Sequence, residues 1–347
     1  MRAVIYSGPK TVRVEQVPEP QLIAPTDALV RVTLAAVCGT DLHVIAGHFP
    51  GMAPGMVIGH EFVGDVVEIG ASVQRVKAGD HVMASDFTAC GRCHWCDRGD
   101  HWECPDRSFF GTGTSFGPAL AGSQAELVRV PHADTTLFPV PEGCSDEAAI
   151  LIGDNLATGW VAVDRGRIEP GEAVAIIGGG TIGQLASLCA QTAGAGAVII
   201  IEPNPDRRQF AEANGAVAVS PGEAPEIVRA LTGGDGADIV IEAVGGTVPL
   251  GSALQLVRRR GRIVSVGAHS SEVWEFPVGS SFANELSLTF AIGDSIRLRR
   301  RLLALVTSGA LDPTIVIGAR VPLDDVPSAY QDLAAQRFLK AVIYPMR

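Results

Sequence analysis

The stretch from Ala173 to Ile201 most constrains the fold, because its 29 residues include no charged side chain. That length exceeds the ~20 residues needed to span a bilayer. Its two ends, however, are short β-branched runs (173–177 and 197–201), and glycines interrupt its middle. Short, near-continuous apolar runs are typical of strands buried in a parallel sheet. The segment therefore predicts strand, helix and strand rather than a membrane span.

Gly178, Gly180 and Gly183 form the pattern G-x-G-x-x-G between the first of these strands and the helix. The first glycine permits a tight turn, the second lets backbone approach a pyrophosphate, and the third allows close packing of helix on strand. The helix N-terminus would then meet the phosphate charge. A glycine-rich turn of an ordinary α/β domain is the competing interpretation.

The choice of cofactor depends on Glu202, which ends the next strand. A carboxylate there accepts hydrogen bonds from ribose hydroxyls and repels a 2′-phosphate, so we expect NAD rather than NADP. Arg207 and Arg208 follow Glu202. Either could face a 2′-phosphate, although flanking the adenine or facing solvent fits their position better.

The pattern of elements divides the chain into two types of structure, in keeping with about two domains for 347 residues. Residues 1 to about 150 show short β-rich runs between Gly, Pro and Asp clusters. Strand–helix alternation follows and predicts a parallel sheet. We expect strands at 173–177, 197–201, 216–219, 238–242 and 262–267, and helices at 183–193, 205–214, 223–232 and 248–259. The last segment has a basic amphipathic run over 296–308, and it predicts a short helix over 326–335 and a terminal strand, KAVIY.

Four of the seven cysteines lie close together with the spacing C-x₂-C-x₂-C-x₇-C. Four thiolates on one polar loop suit a closed tetrahedral zinc site, with an iron–sulfur cluster as the main alternative and buried free thiols as the other. His94 and His101 lie between the cysteines and are expected on the surface rather than as ligands. The four cysteines are Cys90, Cys93, Cys96 and Cys104.

Composition excludes some functions. The chain carries 27 Lys and Arg against 38 Asp and Glu, a formal charge of −11, which argues against a nucleic-acid binder. The first residues lack the charged and apolar segments of a signal peptide, so we expect a reducing, cytoplasmic setting in which clustered cysteines bind metal.

Candidate catalytic residues lie at the ends of predicted elements. Cys38 follows an apolar strand and begins the sequence CGTDLH, and His60-Glu61 comes about twenty residues later. Taken alone, each could be structural, since a single cysteine near a strand end is usually a small packed side chain. Asp154 lies at the expected seam between the two types of structure.

With these motifs in order, the chain resembles the zinc-dependent medium-chain alcohol dehydrogenases over nearly its whole length. The resemblance implies an α/β architecture with two domains. A discontinuous GroES-like catalytic domain would comprise 1–152 and 295–347, and a doubly wound Rossmann domain would comprise 153–294. The matching stretches are CGTDLH, GHEFVGDVVEIG, V-x-x-GD (76–80), CGRCHWCDRGDHWEC, GDNLATGW, IIGGGTIG, GADIVIEAVG, GRIVSVG and KAVIYP.

The resemblance also implies roles for individual residues. Cys38, His60 and Asp154 would bind a catalytic zinc, with Glu61 as an exchangeable fourth ligand. The cysteine loop would hold a structural zinc, making two per subunit. Thr40 and His43 would relay the proton. The implied cofactor-binding residues are Gly178, Gly180, Thr181, Ile182, Gly183, Glu202, Arg207, Thr158 at the nicotinamide, Val266, and Lys340 at the pyrophosphate.

The implied activity is reversible hydride transfer between a primary or secondary alcohol and NAD, giving an aldehyde or ketone. Alternatives are a polyol or amino-alcohol dehydrogenase of the same family, a zinc-free reductase, and a nucleotide-binding sensor without turnover. Asp154-Asn155 stands where the polyol branch has Glu-Pro, which counts against that branch. Small molecules are the expected partners, without membrane or nucleic acid. A homodimer or homotetramer is expected, with 286–292 as a strand that pairs between subunits.

Overall fold

The computed structural model describes residues 1–48, 51–271 and 273–346, and this part of the chain divides into two compact units. The first unit comprises Met1–Asp154 and Asp294–Arg347, and the second comprises Asn155–Gly293. The chain therefore leaves the first unit two residues later than the expected boundary, and it returns one residue earlier. This difference places Asp154 wholly in the first unit.

The first unit is rich in strands, and its main sheet has the order β14-β15-β3-β4-β5-β7, with β6 also paired to β3. A separate antiparallel pair joins β1 to β2. The strands are β1 (Arg2–Gly8), β2 (Thr11–Gln16), β3 (Ala28–Val37), β4 (Phe62–Ile69), β5 (His81–Ala84), β6 (Leu127–Val130), β7 (Leu137–Pro139), β14 (Ile317–Pro322) and β15 (Lys340–Tyr344). The helices are α1 (Gly39–Ile45), α2 (His94–Asp97), α3 (Ala133–Thr136), α4 (Asp146–Ile152), α11 (Ser295–Thr307) and α12 (Val326–Ala334), with 3₁₀ turns at His101–Glu103, Pro313–Val316 and Leu323–Asp325.

Strand β3 organises this unit because its side chains are apolar on both faces and almost all buried. The terminal strand β15 pairs antiparallel with its last residues, so that Ala341 lies opposite Val37. On the core side, Phe62 packs edge-to-face on Phe110 at a centroid distance of 5.4 Å. Each such buried aromatic contributes roughly 1.5–3 kcal/mol. The C-terminal strand is thereby held beside the end of β3, where Cys38 follows.

His81 links three elements of the first unit. Its Nδ1 lies 2.7 Å from Asp65 Oδ1 on β4, and its Nε2 lies 2.8 Å from Asp146 Oδ1 on α4. Burial lowers the pKa of His81, but the two carboxylates raise it by more, so the net direction is upward.

The second unit is a doubly wound parallel sheet in the order β10-β9-β8-β11-β12-β13. In this arrangement the strand order reverses between β8 and β11, and ligands bind at the carboxyl ends of the strands at that point. The strands are β8 (Ala173–Ile177), β9 (Ala197–Ile201), β10 (Val217–Val219), β11 (Ala237–Glu242), β12 (Val257–Ser265) and β13 (Ser287–Phe290). The helices are α5 (Asn155–Gly166), α6 (Thr181–Thr192), α7 (Pro205–Ala213), α8 (Ala224–Leu231), α9 (Thr247–Leu256) and α10 (Val278–Ala283).

The structure confirms the interpretation of the uncharged stretch, which forms β8, α6 and β9. Within the described residues, no helix is long and apolar enough to cross a membrane. The helix predicted over 248–259 is wrong in its last turn: it ends at Leu256, and β12 begins at once. Arg260 shows why, because its φ of 59° is left-handed and its N–H donates to the Asn284 carbonyl.

Candidate active site

Four potential metal ligands converge in the first unit. The donor atoms of Cys38, His60, Glu61 and Asp154 all lie within 4.8 Å of one another. Cys38 sits between β3 and α1, His60 and Glu61 precede β4, and Asp154 follows α4. The first three are buried, and 12% of the Asp154 side chain is exposed. Residues that are far apart in sequence thus meet because β3 and β4 are adjacent and α4 packs against both.

The geometry and chemistry of this cluster fit a zinc ion. Cys38 Sγ lies 3.7 Å from Asp154 Oδ2, and His60 Nε2 lies 3.3 Å from the same oxygen. Ligand distances of about 2.0–2.3 Å in a tetrahedron put donors about 3.3–3.8 Å apart. A mixed set of thiolate, imidazole and carboxylate is also the set that zinc accepts, and burying these charges together is costly unless a cation compensates them.

Asp41 supports the cluster, although it is not among the site residues predicted from the sequence. Its Oδ1 lies 3.1 Å from His60 Nδ1, so the carboxylate orients the imidazole and leaves Nε2 toward the other ligands. Its Oδ2 accepts hydrogen bonds from the Cys38 N–H (2.9 Å) and from Gln124 Nε2 (3.3 Å). A sequence signal was present: an acid three residues after a helix N-cap forms half of a capping box.

The electrostatics reflect this crowding of charge. Burial lowers the pKa of His60, but Asp41 and Asp154 raise it well above its ordinary value. Burial raises the pKa of Glu61 to about 7, although Lys340 opposes the shift. Burial likewise raises the pKa of the Cys38 thiol, again against Lys340. The cluster therefore needs a positive partner to hold all of its acidic groups ionised.

Lys340 pairs with a residue of the ligand cluster. Its side chain is buried, with 1% exposed, and its Nζ donates to Glu61 Oε2. The cause is the pairing of β15 with β3, which brings the first residue of β15 beside Cys38. The contact with the cofactor's pyrophosphate that the resemblance implies stays a prediction.

Thr40 and His43, the expected relay residues, lie three residues apart on α1 and are both half-buried. Residues at that spacing lie on one face of a helix. His43 Nδ1 is 3.1 Å from His48 Nδ1. Burial and the neighbouring imidazole lower the pKa of His43, so this ring is neutral and able to accept a proton near pH 7.

The cysteine loop forms a second cluster in the first unit. The sulfur atoms of Cys90, Cys93, Cys96 and Cys104 all lie within 4.8 Å of one another. Cys93 Sγ is 3.5 Å from Cys96 Sγ, close to the separation of about 3.8 Å for two thiolates on one tetrahedral zinc. Backbone N–H groups, chiefly that of Cys96, lower the pKa of Cys93 to about 7, which favours the thiolate needed for binding.

Neither histidine of this loop joins the cluster. His94 is exposed and packs against Trp95. His101 is directed to Asp294, with its Nδ1 3.1 Å from Asp294 Oδ2. The Asp294 side chain also caps α11 by accepting from the Arg297 N–H. This contact ties the cysteine loop to the start of α11 and was not expected from the sequence.

The glycine-rich turn of the second unit has the form of a phosphate cradle. Gly178 has a φ of 99°, which favours glycine. A Cβ on Gly183 would lie 1.8 Å from the Gly178 carbonyl oxygen, so only glycine permits this approach of helix to strand. Gly180 caps α6, and Thr181 and Ile182 begin its first turn, half-buried. The N-terminus of α6 therefore lies at the carboxyl end of β8, the position from which a helix binds the phosphates of a dinucleotide.

Glu202 and Arg207 lie beside this turn. Glu202 accepts from the Gly179 N–H (2.7 Å) through Oε2 and from the Asn204 N–H (2.9 Å) through Oε1. Each carboxylate oxygen has a further lone pair for another donor. Arg207 Nη1 approaches the position that a Cβ on Gly180 would take, at 3.9 Å, and its buried Nε has no hydrogen-bond partner among the described residues. An unsatisfied buried donor beside the cradle fits an anionic ligand.

The remaining expected cofactor residues occupy the same unit. Thr158 lies on α5 and packs closely against Gly293. A Cβ on Gly293 would lie only 2.4 Å from Thr158 Oγ1. Val266 directly follows β12, and its N–H donates to the Glu242 carbonyl at 2.8 Å. Val266 therefore lies at the carboxyl edge of the parallel sheet, on the side where ligands bind.

Comparison with known proteins agrees with both units. A family model described as "Alcohol dehydrogenase GroES-like domain" matches residues 24–142, and one described as "Zinc-binding dehydrogenase" matches 181–308. A Mycobacterium tuberculosis protein named as a probable zinc-binding alcohol dehydrogenase is 38% identical, covering 97% of this chain and 86% of its own. The structure of alcohol dehydrogenase TADH from Thermus sp. ATN1 has a TM-score of 0.95 and 36% identity, covering 99% of each chain. A Sinorhizobium meliloti zinc-binding dehydrogenase bound to NADP has a TM-score of 0.85 and 30% identity, again covering 99% of each chain.

Proposed function

Because the chain belongs to the zinc-dependent medium-chain alcohol dehydrogenases, we propose that it interconverts primary or secondary alcohols and their aldehydes or ketones, using NAD. The observation that carries this proposal is the buried convergence of Cys38, His60, Glu61 and Asp154. A sensor without turnover would have no use for a complete donor set, and no donor is missing here.

Each residue of the cluster has a separate task. Cys38, His60 and Asp154 would hold the catalytic zinc, and Asp41 fixes the ring of His60. When bound, zinc supplies Lewis acidity to the substrate oxygen, and the nicotinamide exchanges the hydride. Asp154 carries the same charge as a cysteine thiolate but is a harder ligand. The second cluster, on the cysteine loop, would hold a structural zinc.

The proton released on alcohol oxidation needs a path to solvent. Thr40 and His43 supply a hydroxyl and a neutral imidazole on one face of α1. Burial lowers the pKa of His43, so the ring is neutral near pH 7, and once protonated it is acidic enough to release the proton toward its exposed neighbour His48. We assign the outward proton transfer to this pair.

NAD is the proposed cofactor because the Glu202 carboxylate lies at the edge of the phosphate cradle and would repel a 2′-phosphate. NADP is the alternative, since Arg207 lies beside the same turn and the Sinorhizobium meliloti relative binds NADP. The Glu202 carboxylate would repel a 2′-phosphate and the Arg207 guanidinium would attract it. We therefore expect a preference for NAD with some remaining activity on NADP.

Assembly through the second unit is also proposed. Strand β13 forms one edge of its sheet, and α10 beside it exposes apolar side chains, with Phe282 85% exposed. An unprotected edge with an apolar surface favours pairing with another chain. We expect a dimer whose β13 strands pair, and Phe282→Asp should shift the mass measured by sedimentation toward the monomer. Ile23→Lys, at an exposed apolar residue of the first unit, is the control.

The proposed activity is tested by measuring NAD⁺ and NADP⁺ reduction over aliphatic, aromatic, secondary and polyol alcohols, with zinc quantified per chain. We expect two zinc ions per chain, NADH formation with simple alcohols, and a higher kcat/KM with NAD⁺. Turnover confined to polyols would favour the polyol alternative. A zinc-replete protein without turnover on any alcohol would refute the proposal.

A further inference from the structure

Lys340 is a buried cation inside the catalytic unit. It begins β15 and lies beside Cys38, because Ala341 pairs with Val37 on β3. Only 1% of its side chain is exposed, as is 1% of its partner Glu61. A lysine is almost never buried unless a partner compensates its charge. The ion pair with Glu61 supplies that compensation and removes Lys340 from solvent.

The pair fixes one oxygen of Glu61 and leaves the other available. Oε2 accepts from Lys340 Nζ, whereas Oε1 is buried and accepts no hydrogen bond from the described residues. Glu61 also belongs to the set of converging donors, together with Cys38 and Asp154. The Glu61 carboxylate thus contacts the Lys340 ammonium group through one oxygen and lies among the potential metal ligands.

We propose that Lys340 is a positioning residue that holds Glu61 back from the metal and so keeps one coordination position open for substrate. The inference rests on the proposed zinc chemistry. The charges explain the need: Cys38, Glu61, Asp154 and Asp41 are four acidic groups around one divalent ion. Without the ammonium, the strongest remaining cation for Glu61 is the metal. A site with four protein ligands is closed, as in structural zinc sites, whereas catalysis requires an open position.

The test compares Lys340→Met with Lys340→Arg, with the double variant Lys340→Met/Glu61→Gln, and with Lys77→Met as an exposed-lysine control. Each protein is loaded with Zn²⁺ or with Co²⁺. The release of Zn²⁺ to a chelating dye and the visible Co²⁺ spectrum with and without imidazole are then measured, and melting curves show that each variant folds.

In Lys340→Met, the Co²⁺ spectrum should stop responding to imidazole, because Glu61 fills the open position. Zinc release should slow by about 10- to 100-fold, the range seen when groups supporting a metal site are changed. Lys340→Arg should keep the response, and the double variant should regain it because glutamine is a poor ligand. Lys77→Met should match the parent.

A Lys340→Met protein that folds, responds to imidazole and releases zinc as fast as the parent would overturn the proposal. An effect on NADH affinity alone would also overturn it and would support a contact of Lys340 with the cofactor's pyrophosphate instead. If Lys340→Met fails to fold, the other two variants decide. A Lys340→Arg protein that no longer responds to imidazole would overturn the proposal, and so would a double variant that does not respond. Neither metal readout requires turnover, so an inactive parent would refute the proposed function and still leave this inference tested.

Discussion

Replacing Asp41 by asparagine tests how far the proposed zinc site depends on its supporting carboxylate. Asparagine keeps the shape and one oxygen, so the Cys38 N–H (2.9 Å) retains an acceptor. The charge that faces His60 Nδ1 at 3.1 Å is lost. Buried charges are screened much less than exposed ones, so the loss of this carboxylate charge acts strongly on the ring. The imidazole thus loses both basicity and its fixed orientation.

The expected cost is about 10- to 100-fold in zinc affinity or in kcat/KM, which is about 1.4–2.7 kcal/mol. Zinc affinity is measured by competition with a chelating dye, and kcat/KM with the best alcohol of the screen. Cofactor affinity should not change, because the cradle residues lie in the second unit.

The matched control is Asp27→Asn. Asp27 is also 1% exposed and accepts from the Ile23 and Ala24 N–H groups and from Arg129, but it lies at the opposite end of β3, about 30 Å away along the strand. It should lower the melting temperature and leave zinc affinity intact. If Asp41→Asn lowers stability as Asp27→Asn does but keeps the parent's zinc affinity and kcat/KM, the orienting role is refuted.

Other predictions address the rest of the chain. Cys93→Ser should lose one zinc per chain by elemental analysis and lower the melting temperature, since metal binding there is folding free energy; Cys144→Ser, at a free thiol outside both clusters, should do neither. Glu202→Gln should raise kcat/KM with NADP⁺ relative to NAD⁺ by about tenfold or more, because two unit charges 4 Å apart repel by about 4 kcal/mol at an effective dielectric of 20, and an unchanged ratio would contradict its role. His43→Ala should slow turnover mainly below pH 7, where few other bases accept the proton, and zinc loss in this variant would count against the relay. His81 has a raised pKa when folded, so its stabilisation is complete below about pH 6.5 and is lost as the pH rises through the raised pKa; His81→Gln should flatten that decline in denaturant titrations, and an unaltered decline would refute it.

Most of the secondary structure of the second unit is predictable from the sequence because its signals are local. The runs 173–177 and 197–201 coincide with β8 and β9, since each is a short apolar β-branched segment between glycines. The wrong helix prediction at 257–259 has a different cause. These residues are compatible with a helix, but they form strand because Arg260 adopts a left-handed φ and its N–H donates to the Asn284 carbonyl. The hydrophobic periodicity of the sequence does not predict this contact between Arg260 and Asn284.

The spacing of Gly178, Gly180 and Gly183 by itself determined the cradle, because tight turns and close backbone approaches exclude any Cβ. The cysteine spacing likewise determined that four sulfur atoms converge, since the four cysteines lie within fifteen residues on one short segment. Only the tertiary structure decided what Asp41 and Lys340 do. Asp41 lies on α1 after β3 and meets His60 before β4 because β3 and β4 pair, and Lys340 reaches Glu61 from the far end of the chain through the pairing of β15 with β3. Charges buried at such sequence separations are stabilised by their partners in space, and those partners exist only once the chain has folded.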